Sequence, residues 1–101
     1  MTEFDVIKRN RIRGVILKIL SPRHPYGLDF VMIRRELALL GYPVDESALE
    51  SYIQYLLDAG AVRVESRPLH GIRIATITNH GLNLLDAIAP EVDPGIDVEG
   101  L

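Results

Sequence analysis

Neither cysteine nor tryptophan occurs among the 101 residues. Without thiols the chain can build neither a disulfide framework nor a thiolate zinc site, which suits a reducing compartment. Uncharged apolar runs such as Val15-Ile16-Leu17 are far shorter than the roughly 20 residues a membrane span requires. The opening MTEFDVIKRNRIR mixes acids and bases ahead of any apolar run, so no export signal is expected and a cytoplasmic location is. Catalytic patterns are missing as well. Ser21, Ser47, Ser51 and Ser66 stand outside any nucleophile-elbow sequence, and there is no glycine-rich phosphate loop. His24, His70 and His80 lack close spacing and Cys partners, so neither a metal site, a cofactor nor enzymatic activity is expected.

Charge is distributed unevenly within a formal total of -3. Residues 1 to 35 hold eight Lys or Arg against three acids, a net of +5, whereas residues 36 to 101 hold three Arg against eleven acids, a net of -8. From Glu36 to Val62 there are five acids and no base at all. A uniformly acidic chain would repel nucleic acid, but one with a basic half keeps that partner open.

What is present is mainly apolar periodicity, with 48% hydrophobic residues in a chain of single-domain length. Ile12, Val15, Ile16, Ile19 and Leu20 follow one helical face, so a helix is predicted over Glu3 to Leu20, with Arg11 and Lys18 pointing away. Prolines and a glycine make residues 21 to 27 a loop. Asp29 is placed to cap a second helix with Phe30, Ile33, Leu37 and Leu40 inward and Arg34, Arg35 and Glu36 outward, stopped by Gly41. Asp45 caps a third, whose Leu49, Tyr52, Ile53, Leu56 and Leu57 repeat the core spacing.

After Gly60 the period changes to two. Val62 and Val64, then Ile72 and Ile74, predict a hairpin around Arg67-Pro68-Leu69-His70-Gly71, with a bulge or strand end near Ala75-Thr76 because Ile77 is out of phase. Thr78 can cap a last helix through Leu82, Leu85 and Ile88, stopped by Pro90. The expected core contains Ile16, Ile19, Leu37, Leu49, Ile53, Leu56, Val62, Ile74, Leu82 and Leu85. Residues 90 to 101, with four acids and no base, read as a flexible acidic tail beside a domain spanning 1 to 89.

The fold class is therefore mainly α with a small β-hairpin (α+β), in the order helix-helix-helix-strand-wing-strand-helix. Two segments carry a family resemblance. Ser51-Tyr52-Ile53-Gln54-Tyr55-Leu56-Leu57-Asp58-Ala59-Gly60-Ala61-Val62 resembles a winged-helix third helix running into its first wing strand. Ala75-Thr76-Ile77-Thr78-Asn79-His80-Gly81-Leu82-Asn83-Leu84-Leu85 resembles the second wing strand entering the last helix, where bacterial regulators read Leu-Thr-x-x-Gly-x-x-Leu-Leu. The resemblance covers about residues 5 to 89; size and tail are also similar to small winged-helix proteins of Mu-like prophages. It implies duplex DNA binding, as in a small transcriptional regulator, with the third helix in the major groove.

On that helix Ser51, Tyr55 and Asp58 are expected outward, Ser47 and Gln54 on the flank, and Glu50 at the core border. Ser and Gln can pair with base edges; Tyr55 can donate to phosphate or stack, although Tyr52 and Tyr55 also suit packing. Phosphate contacts then fall to Arg34 and Arg35, to Arg67, His70 and Arg73 around the hairpin, and to the cluster Lys8 to Arg13, a pattern that is more often a solvated helix face or a set of intramolecular partners for the acids. A homodimer is expected from Ile7 and Val6, apolar residues off the core stripe of the first helix. The competing expectation is a module that docks a basic protein through its acidic third helix.

Overall fold

Thr2 begins the first helix by a reciprocal cap: its hydroxyl accepts from the Asp5 N–H, and the Asp5 carboxylate accepts from the Thr2 N–H. The computed structural model describes residues 2 to 88 and 90 to 101; Met1 and Ala89, the expected domain end, lie outside the described residues. Helix α1 (Glu3–Leu20) is followed by a 3-10 turn at Ser21–Arg23 and a two-residue strand β1 (Leu28–Asp29). Asp29 then caps α2 (Phe30–Leu39) through the Val31 N–H, and Asp45 caps α3 (Glu46–Asp58) through the Ala48 N–H. Strands β2 (Val62–Arg67) and β3 (Ile72–Ile77) form the hairpin, and Thr78 caps α4 (Asn79–Leu85). The product is an α+β fold of four helices and an antiparallel sheet ordered β1-β3-β2. No helix among the described residues is long and apolar enough to cross a membrane.

The core joins one face of each long helix to the sheet. Ile16, Leu20, Ile33, Leu37, Leu49, Leu56, Val62, Ala75 and Ile77 are all buried in it. Strand β3 departs from the predicted phase. Its register against β2 runs unbroken from Val62↔Ile77 to Arg67↔Ile72, with no bulge, and Ala75 and Ile77 are the residues that enter the core. Ile74 lies on the opposite face, beneath the loop at Gly27, where a Cβ on that glycine would stand 2.3 Å from Ile74 Cγ2. A small inward residue, Ala75, had concealed the true alternation. Strand β1, unexpected, pairs Leu28 and Asp29 with Ala75 and Ile74.

The last helix is shorter than its apolar spacing suggested. It ends at Leu85, and Ala87 adopts a left-handed backbone conformation (φ 53°) that breaks the helical path before Ile88, which is exposed. Leu84 replaces Leu82 and Leu85 as the buried residue, those two being half-buried. Leu40, the C-cap of α2, and Leu57, in the last turn of α3, are predicted inward but are exposed.

Residues 91 to 101, expected as a flexible tail, lie as an ordered strap on α1. Ile96 is buried in the core, and Val98 and Leu101 pack against it. The seat is made by Gly14, where a Cβ would stand 1.7 Å from the Asp97 carbonyl oxygen. The Asp97 N–H donates to the Asn10 carbonyl at 3.0 Å. Helix α1 is therefore covered on two sides, which explains why Gly14 and Leu17 are buried although they lie outside the predicted stripe. Acidic composition suggested disorder, but the cations that hold this segment are supplied from the other end of the chain.

Candidate nucleic-acid interface

Ser47, Ser51 and Gln54 lie exposed along α3, as their helical positions dictate. The Gln54 amide nitrogen donates to Asp58 Oδ1 at 2.8 Å, which uses one of its two N–H donors and leaves the other and the carbonyl oxygen available. Tyr55 does not share this face. Its ring lies under the Arg13 guanidinium at 3.6 Å from the centroid, and its hydroxyl donates to Asp93 Oδ1 at 3.0 Å. Burial, then the Asp93 hydrogen bond, raise the Tyr55 phenol above the ordinary tyrosine range. Burial also lowers the Arg13 guanidinium from the usual arginine value, though a guanidinium stays charged throughout the range proteins tolerate.

Two grooves run beside α3. On one flank a groove of about 420 Å³ is lined by Lys8 and Arg9 of α1, by Val44 and Asp45, and by Ala48 and Tyr52 of α3. On the other, Arg34 of α2 and Arg73 of β3 meet Glu46 and Leu49 around a recess of about 90 Å³. Arg73 continues into a second recess of about 170 Å³ with Phe30, Glu50 and Gln54. The exposed polar face of α3 thus stands between cations contributed by α1, α2 and the hairpin.

Most of these cations already have partners. Arg34, expected outward, is half-buried and its Nε donates to the Val44 carbonyl at 3.2 Å, which ties α2 to the turn before α3. Arg73 is not a cation of the hairpin tip: it sits on the strand face turned toward α2 and α3, pairs with Glu50 and covers the Phe30 ring at 4.7 Å. Arg67 pairs with Glu65 at 2.9 Å, both exposed. His70 is exposed in the 3-10 turn Pro68–His70 at the hairpin tip, and Arg35 is exposed on α2 with no partner among the described residues.

The chain has no match among protein-family models, curated proteins or solved structures. What the site can do therefore rests on its own chemistry. Sequence reasoning correctly put Ser47, Ser51 and Gln54 on one surface but missed Lys8 and Arg9 as neighbours of α3, because their proximity depends on how α1 crosses it. Arg11 and Arg13, for which the sequence also suggests intramolecular partners, hold the strap, although the segment they hold reads as a free tail. The signal available was the complementary charge of the first 35 and last 11 residues. Among the described residues no cluster of three or more His, Cys, Asp or Glu has metal-ligand geometry. His80 instead lies 3.3 Å from Glu91, at the start of the strap.

Proposed function

We propose that this chain is a winged helix-turn-helix protein that binds duplex DNA, a small transcriptional regulator of the bacterial or prophage kind, with α2 and α3 as the helix pair and the β2–β3 hairpin as the wing. The carrying observation is the flanking of α3: an exposed row of Ser47, Ser51 and Gln54 bordered by Lys8 and Arg9 on one side and by Arg34 and Arg73 on the other. Uncharged side chains that can read base edges are thereby set between groups that can neutralise phosphates on both walls of a groove. Arg35 and Arg67 extend the cationic border along α2 and the hairpin, and His70 adds an exposed hydrogen-bonding side chain at the hairpin tip. These cations can come from different elements because the backbone of a duplex seated on α3 would pass all of them.

A second reading has its own observation. Arg34, Arg67 and Arg73 each satisfy an internal acceptor, and α3 itself carries Glu46, Glu50 and Asp58, so a basic protein surface would also find complementary charge there. Fluorescence anisotropy with a labelled pool of random duplexes separates the two. Binding at low salt that weakens steeply as salt rises supports the DNA reading. No binding even at low salt overturns it and favours the protein-docking module.

A further inference from the structure

The C-terminal strap holds the groups that would otherwise extend the cationic border of α1. The Gly95 carbonyl accepts from Arg13 at 3.1 Å, the Glu99 carbonyl from Arg11, and the Pro94 carbonyl from the Asn10 amide at 3.4 Å. Asp97 lies 3.6 Å from the same Arg11, and Asp93 takes the Tyr55 hydroxyl. The strap is held by these polar contacts together with Ile96, which is buried in the core, and Val98 and Leu101, which pack against the core. Arg13 Nε remains a buried donor with no hydrogen-bond acceptor among the described residues, so this arginine is not saturated by the strap.

Charge points the same way. Residues 91 to 101 contain Glu91, Asp93, Asp97 and Glu99 and no base; without those four acids the formal charge of -3 becomes +1. We infer that residues 91 to 101 are an autoinhibitory strap, an internal acidic occupant of the Asn10–Arg13 face that competes with nucleic-acid phosphates and opens that face when it detaches. The inference rests on the DNA reading above and adds its regulation. A carboxylate and a row of carbonyls offer Arg11 and Arg13 the same kind of acceptor oxygens as a phosphodiester, so the two occupants exclude each other.

Gly14→Ala in the full chain is the direct test. The added Cβ collides with the Asp97 carbonyl, yet alanine is the better helix former, so the substitution expels the strap without weakening α1 itself. Ile96→Ser, which removes the buried apolar anchor, is the second route to the same state. Amide exchange at Asp97, whose N–H is held by Asn10, reports release, and circular dichroism reports that the helices remain. With a random-sequence duplex as probe, the released chains are expected to bind about tenfold tighter at about 0.1 M salt, and the salt slope to steepen by about two, one for each freed arginine. Release with unchanged affinity and slope overturns the strap as a regulator and leaves the DNA reading standing. Protection of Asp97 that survives both substitutions overturns it too, because the segment then does not detach. If neither the wild type nor the released chains bind duplex at low salt, both the regulation and the DNA reading fail.

Discussion

A methyl group on Gly81 would stand 2.2 Å from the Ala61 carbonyl oxygen and 2.7 Å from Ile77 Cγ1. Beside it, the Thr78 hydroxyl donates to the Gly60 carbonyl at 2.7 Å and accepts the Gly81 N–H at 3.0 Å. The Thr-x-x-Gly spacing is thus one device: threonine caps α4 and fastens it to the end of α3, and glycine lets the helix approach the chain entering β2. Gly81→Ala is expected to lower stability by about 1 to 3 kcal/mol through overpacking, despite the better helix propensity of alanine. Leu56, fully buried, is expected to cost about 2 to 5 kcal/mol as Leu56→Ala. A loss below about 1 kcal/mol by chemical denaturation would show that α3 is rotated from the core. Tyr55 supplies a pH signature. Its raised phenol means the folded chain keeps a proton that the unfolded chain releases above about pH 10, so this contribution is complete below that range and is lost as pH climbs through the folded value. Spectrophotometric titration should find Tyr55 among the last of the four tyrosines to ionise, and Tyr55→Phe should remove that late component.

At the scale of elements, helices were legible because their signals are local. Asp29, Asp45 and Thr78 cap where they were expected to, since a cap needs only its own side chain and an N–H two or three residues on. The sheet was less legible. Ala75 reveals no phase to a hydrophobicity pattern, and β1 exists only because β3 offers it a free edge. On the DNA reading, the charge and the polar groups of α3 would act differently on a duplex. Ser51→Ala and Gln54→Ala should change preference among sequences while leaving the salt slope alone. Glu50→Gln should do the reverse: it releases Arg73 and removes an acid from the helix, so the salt slope should steepen by about one with little change in preference. Anisotropy over a salt series with two unrelated duplexes distinguishes these outcomes, and a flat response to Glu50→Gln would place Arg73 outside the contact surface.

For the molecule as a whole, the basic first third and acidic last segment are halves of one intramolecular arrangement. Composition shows the imbalance, but only the fold brings residues 10 to 13 to residues 93 to 99, which is why the segment read as a free tail. The candidate site was half legible for the same reason: α3 carries its polar row in sequence order, whereas its cationic walls come from three distant elements. Beyond the strap, the N-terminal turns of α1 stay uncovered, with Phe4 72% and Ile7 57% exposed. Two large apolar side chains one turn apart suit a partner surface, and a two-fold pairing of α1 with the same turns of a second copy would bury both. Wild-type protein is therefore expected to sediment as a dimer at micromolar concentration, and Ile7→Glu as a monomer with an unchanged circular dichroism spectrum, since the new carboxylate stays solvated in the monomer and is desolvated only in the pair. A wild-type monomer under those conditions would remove the pairing.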